Sequence, residues 1–297
     1  MLAWTRVVLS SLLLLPLLAM AKPQVFWLYT DWPPHQIASG PFKSQGTFDK
    51  LLQQILPGLP GYAHQTQLVS LARLEQQFQQ SQLTICTTGI LLTEERARDR
   101  YFSLPMAVGP GIYINYLAGS AVAEYQQADG SIDLQQLAAD PQLVGAYQPN
   151  RYYSPVVMQV LAAEHNLLVQ QFTSELNAAM LLQSRRIDYV LEYPERLQFY
   201  ALALTEPLAL SSAEVALAEP TAISHITCTK TAVGQQLISE INQLLPVLWQ
   251  QASYTEAMQH WLDGNARQRV SADIQQLQQA SMQFEPGSDN TVKPGNH

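Results

Sequence analysis

The stretch "TGILLTEERARDRYFSLP", Thr88 to Pro105, is apolar as far as Leu92, sets Arg96, Arg98 and Arg100 within five residues, and closes on an aromatic-Ser-x-Pro step. The whole chain carries only sixteen lysines and arginines, so three guanidiniums crowd one short turn. Either the cluster is an ordinary solvated turn, or one of the guanidiniums faces a ligand. The segments on both sides decide between these.

On the N-terminal side, Gln24 to about Tyr29 is an aromatic and β-branched strand, broken by Pro33-Pro34. Thr47 is placed to cap a helix whose apolar face is Phe48, Leu51, Leu52 and Ile55, and "GLPG" stops it. A strand at Tyr62–Val69, a helix at Leu71–Gln80 and a short strand at Leu83–Cys86 follow. This β-α-β-α-β run reads as α/β with parallel strands. On the C-terminal side, "IYINYLAG" leads into a second series. It comprises a strand at Leu143–Ala146, a helix at Ser154–Glu164, "LLVQQF", a helix at Ser174–Gln183, "IDYVLEY" and a helix after Pro194. "ISHITCTKT" restores a β pattern, and helices at Val233–Trp249 and about Tyr254–Leu262 come next. Two similar units, with the chain passing between them more than once, predict two lobes and a hinge. Beyond Leu262 the pattern weakens to a Gln-rich surface helix over Ala272–Met282 and a polar, turn-forming tail expected to be disordered.

The 297 residues suffice for one large or two modest domains. A 47% hydrophobic, 13% charged composition is that of a globular protein, and the net charge of -8 argues against a nucleic-acid partner. The first 21 residues combine Arg6, an apolar run from Val7 to Leu18 and the small-x-small site Ala19-Met20-Ala21. The run is shorter than the ~20 residues that span a bilayer, so a signal peptide cleaved after Ala21, and export to the periplasm, are expected. Cys86 and Cys228 fit either a disulfide or two buried thiols by count alone. No G-x-S-x-G, H-E-x-x-H, Walker loop or G-x-G-x-x-G occurs. His64, His165, His225 and His260 are isolated, and ligand binding without a metal or cofactor is the better class of function.

The order T-x-x-R (Thr93–Arg96), a few charges, then F-S-x-P (Phe102–Pro105) resembles periplasmic solute-binding proteins of the polar-amino-acid type, extracellular solute-binding protein family 3. "YTDWPPH" (Tyr29–His35) is similar to that family's first ligand loop. "FKSQGTFDKLL" is similar to its G-x-x-x-G-F-D helix start, with Thr47 in place of glycine. "VGAYQPNRYY", "SRRIDYVLEYP" and the last helices extend the likeness over about Gln24 to Leu262.

The resemblance implies a type 2 periplasmic-binding architecture of two Rossmann-like lobes around a cleft. Residues 22–110 and 219–262 would form lobe one and 111–218 an inserted lobe two, with 263–297 beyond the binding unit. It implies a monomer that closes over a small solute for a transporter of the ABC type. A sensory protein serving a membrane receptor and, less directly, a dehydratase-type enzyme with Glu192 as its acid remain as alternatives. Arg96 would take the solute's carboxylate, leaving Arg98 and Arg100 solvated, and the aromatics of the first loop, Tyr29 and Trp32, would contact the solute. Thr88 and Gly89 occupy the positions before T-x-x-R. Asn150 and Arg151 stand where the family favours Gly-Ser-Thr, and Glu192-Tyr193 stand near its ammonium-binding aspartate. These departures enrich the pocket in anion-binding groups and loosen the link to α-amino acids. The same topology makes neighbours of the segments carrying Cys86 and Cys228, and so implies their disulfide.

Overall fold

The computed structural model describes residues 21–149, 151–170, 172 and 177–283. The expected leader before Ala21, the tail after Gln283, and Asn150 lie outside the described residues. Two five-stranded sheets organise the chain.

The first sheet starts with β1 (Gln24–Tyr29), whose residues alternate between two apolar layers as the pleat requires. Val25 and Trp27 face one layer, while Phe26 and Leu28 face the other. Helix α1 (Thr47–Ile55) leads to β2 (Ala63–Leu68), and α2 (Leu71–Gln80) to β3 (Ile85–Ile90). Both β2 and β3 run parallel to β1. Thr47 is the first helical residue; Gly46 precedes the helix, and the Asp49 carboxylate accepts from the Gly46 and Ile37 N–H groups at 3.0 Å each. The charged turn of the opening stretch is itself a short helix, α3 (Glu94–Asp99). It is capped by Thr93, whose hydroxyl accepts from the Arg96 N–H. β4 (Arg100–Pro110) then runs towards the second sheet.

That sheet contains β5 (Tyr113–Leu117), β6 (Gly145–Tyr147), β7 (Leu167–Val169), β8 (Tyr189–Glu192) and β9 (Leu210–Glu214). Helices α4 (Leu134–Ala139) and α5 (Pro155–Leu161) pack on one face, with α6 (Ala178–Gln183) and α7 (Pro194–Ala201) on the other. The chain returns through β10 (Thr221–Thr229), then forms α8 (Ala232–Trp249), α9 (Ala252–Gln259) and α10 (Gly264–Met282). Strand order is β2-β1-β3-β10-β4 in the first sheet and β7-β6-β8-β5-β9 in the second.

Three departures from expectation have physical causes. The sheets are mixed rather than parallel, because β10 enters the first sheet antiparallel to β3 and β4, and β5 lies antiparallel to β8 and β9. Both crossings between the sheets are therefore short continuations of strands already paired side by side, and the Gly111 N–H donates to the Pro220 carbonyl at 2.9 Å between them. Next, α10 begins eight residues before the expected Ala272 and is not merely laid on the surface. Its Ala266, Val270, Ile274 and Leu277 are buried in the core that also holds Leu237, Ile241 and Trp249 of α8.

Third, Arg100 is not solvated. It is 2% exposed, bonded to Asp99 (2.6 Å) and Glu75 (2.7 Å), and lies 4.2 Å over the Phe78 ring. Leaving water opposes its charge, but the hydrogen bonds and charges of Asp99 and Glu75 outweigh that and raise its pKa. Arg98 is exposed, as expected.

Cys86 and Cys228 face each other in the β3–β10 pair, with Cα atoms 4.1 Å apart, and form a disulfide across 142 positions of sequence.

Candidate functional site

A cavity lies between the two sheets, lined from the first by Trp32, His35, Thr88, Gly89 and Arg96 and from the second by Arg151, Tyr193 and Glu195. Its walls are otherwise mostly aliphatic.

The first-sheet side is built by the loop after β1. Trp32 and Gln36 exchange backbone hydrogen bonds (2.9 and 3.0 Å), folding the loop back so that Trp32 and His35 project together. The Gln36 amide donates to Thr88 Oγ1 at 3.0 Å, tying this loop to the end of β3. Gly89 there has φ +77°, and a Cβ on it would fall 2.0 Å from the Phe48 ring. Only glycine combines that backbone with that neighbour. The His35 ring stacks on the opposite part of this wall against Phe48, with ring centres 5.0 Å apart.

Arg96 hangs from α3 into the cavity. One guanidinium nitrogen donates to the Leu91 carbonyl at 3.2 Å, and another stands 3.8 Å from Glu75, itself engaged by Arg100. Burial lowers the Arg96 pKa against the opposing pull of Glu75. Its acidic neighbour is thus Glu75 of α2.

The second-sheet side centres on Glu192 at the end of β8. Its Oε1 accepts from Arg151 Nη1 (2.7 Å) and from the Tyr193 N–H (2.9 Å), while Oε2 lies 3.3 Å from Arg196 Nε. Burial alone would raise this carboxyl, but Arg151 and Arg196 together hold it below the usual range. Glu192 is therefore ionised and tied down. It is not among the residues that line the cavity. Arg151 sits 4.7 Å from the Tyr193 ring centre and 5.6 Å from that of Trp32; its Nη2 is buried without a protein partner.

The two sides meet through residues that no motif singles out. Arg196 of α7 lies 3.9 Å over the Trp32 ring and donates to the Pro33 carbonyl at 2.8 Å. His35 Nε2 is 3.5 Å from Glu195 Oε1. Burial, reinforced by Arg196, drives the His35 pKa down to about 3, and burial raises Glu195 to about 8. At neutral pH this contact joins an uncharged imidazole to an uncharged carboxyl. The outward atoms of the pair, His35 Nδ1 and Glu195 Oε2, have no protein partner.

Of the expected site residues, Trp32, Thr88, Gly89, Arg96, Arg151 and Tyr193 come together on the cavity, whereas Tyr29 and Glu192 are not among its lining residues. One face of Trp32 is already covered by the protein's own Arg196. The missed residues had one faint signal each: "PPH" for His35 and "YPER" for Glu195 and Arg196.

Two mixed sheets, the second inserted through paired strands into the first, with polar groups converging between them, define a known architecture. The chain has the fold of type 2 periplasmic binding proteins. A probable amino-acid ABC transporter extracellular-binding protein from Bacillus subtilis superposes with a TM-score of 0.61 at 14% identity, over 82% of this chain and 99% of that one. A histidine kinase sensor domain with similarity to periplasmic binding proteins gives 0.60 at 16% identity, over 82% and 96%. An ancestral amino-acid-binding protein described as a precursor of cyclohexadienyl dehydratase gives 0.59 at 15% identity, over 82% and 96%. No protein-family model matches the chain, and no curated protein matches it significantly by sequence. Among the described residues of this binding-protein fold, no helix is long and apolar enough to cross a membrane, and no group of His, Cys, Asp or Glu could hold a metal ion.

Proposed function

We propose that the protein is an exported solute-binding protein, monomeric and periplasmic, that closes over a small carboxylate-bearing solute and delivers it to a membrane transporter. One observation carries this reading: Arg96 and Arg151, from opposite sheets, line one cavity. A carboxylate between them would match the planar guanidinium fork. Arg96, Arg151, Trp32, Thr88, Gly89 and Tyr193 are the binding residues in this reading. The amino-acid ABC transporter proteins among the structural neighbours support it, as does the leader-like N-terminus. Closure would be a hinge motion at the paired crossings, residues 111–112 and 215–220.

The sensor-domain neighbour favours a second reading, in which the liganded form signals to a membrane receptor. A thermal-shift screen of the purified protein against amino acids and organic acids tests the shared premise. A ligand at a hundred times its Kd adds ~2.7 kcal/mol of stability, and a flat screen removes the premise. Deleting the gene then separates the two readings. Lost uptake of the labelled ligand indicates transport, while intact uptake with a lost cellular response indicates sensing. Turnover of a cyclohexadienyl acid by the purified protein would replace both with an enzyme.

A further inference from the structure

Resting on the solute-binding reading, we infer that the ligand is an organic anion with no ammonium group, its carboxylate borne on an apolar body. The polar end of the cavity has few groups still open to a ligand cation. Glu192 has nothing left for a ligand cation, because both its oxygens already face Arg151, Arg196 and the Tyr193 N–H. Glu75 is engaged by Arg100 and already has Arg96 beside it. The remaining carboxyl, Glu195, faces His35 across the cleft in a buried setting that favours its neutral form. Of the hydroxyls on the wall, Thr88 Oγ1 accepts from Gln36 and Ser224 Oγ donates to the Ala107 carbonyl; these, with Thr30, Thr47 and Thr87, are neutral groups that cannot balance an ammonium charge.

Donors are in the opposite position. Arg151 Nη2 is buried and unpartnered, and Arg96 spends one nitrogen on a backbone carbonyl. Around this end the guanidiniums of Arg96, Arg100, Arg151 and Arg196 face the carboxylates of Glu75, Asp99 and Glu192, which leaves one cation in excess. An ammonium group would enter that field and displace water without gaining an ionised acceptor, whereas an anion meets the Arg96 and Arg151 guanidiniums that line the cavity from its two sides. The rest of the wall, including Leu71, Leu74, Ile90, Leu91 and Val108, gives an aliphatic or aromatic body a surface and adds no further carboxyl group among the lining residues.

Matched pairs differing only in the amine test this by calorimetry at pH 7: L-leucine against 4-methylpentanoate and 4-methyl-2-oxopentanoate, and L-phenylalanine against 3-phenylpropanoate. The expected result is that an amine-free acid binds at least tenfold tighter than its amino-acid partner. Equal or tighter binding of the amino acid overturns the inference while leaving the solute-binding reading intact. If no member of any pair binds, and the wider screen of amino acids and organic acids is also flat, the solute-binding reading itself fails and takes the inference with it.

Discussion

Single side chains set the chemistry of the cavity, and two of them set its response to pH. Glu195 titrates near 8 in the folded protein against an ordinary 4.5, and His35 near 3 against 6.5. A carboxyl raised on folding contributes stability that is lost as pH climbs from 4.5 through 8. An imidazole depressed on folding contributes stability that is lost as pH falls from 6.5 through 3. Between 4.5 and 6.5 the two slopes cancel, since folding moves one proton from histidine to glutamate without net uptake. Above 6.5 only the Glu195 slope remains, about 1.4 kcal/mol per pH unit. Denaturant melts should therefore show the Glu195→Gln variant losing much less stability between pH 6.5 and 8 than the parent; parallel curves would mean that the pair does not titrate this way. The arginines make a separate prediction. Losing a charge-assisted contact costs ~1.5–3 kcal/mol, so Arg96→Ala and Arg151→Ala should each weaken ligand binding by ten- to more than a hundredfold in calorimetry. Parent-like affinity in Arg96→Ala would remove that residue from the site. Arg96 was legible because a motif surrounds it. Arg196 and His35 were not, because the partners that place them at the cleft, Trp32 and Glu195 respectively, lie far away in sequence and meet them only once both sheets are in place.

At the scale of elements, sequence pattern worked where one face is regularly apolar. β1 and α2 have the expected bounds, since Val25 and Trp27 alternate with Phe26 and Leu28, and Leu74 and Phe78 repeat at helical spacing. It failed where the buried positions are small or absent. α3 buries no residue and owes its turn to the Thr93 cap. The first turns of α10 bury only Ala266 and Val270 between polar residues, so the helix seemed to start later. If α10 is core, Ile274→Ala should cost about 2–4 kcal/mol in chemical denaturation, the range for a large-to-small change at a buried site. A change below ~0.5 kcal/mol would return the helix to the surface. The β3 terminus makes a different demand. Gly89→Ala forces a side chain into a left-handed backbone and against Phe48, so a loss of about 1–3 kcal/mol is expected, together with weaker binding as the Thr88 end of the strand shifts. Unchanged melting would show that the loop after β1 yields easily.

At the scale of the whole molecule, side chains from both sheets also meet away from the cavity. Besides Arg196 on Trp32, the Phe199 ring of α7 sits against Phe42 and Trp261, and the Gln198 amide donates to Asp263 at 2.8 Å. Opening would strip these rings from one another, so Trp261 fluorescence should change on ligand binding in the parent and much less in Phe199→Ala. The two-sheet plan was readable from the repeated α/β series, but the antiparallel entry of β10 was not, since strand direction depends on a crossing with no mark in local pattern. The Cys86–Cys228 disulfide closes a ring around that plan. Every residue of the second sheet, with both crossings, lies between the two cysteines in sequence. A protease that cuts the chain once anywhere between β4 and β10 consequently leaves a single covalent molecule. It would migrate as one species without reductant and as two fragments with it, its two halves of the first sheet still joined at the β3–β10 pair although the backbone between them is severed.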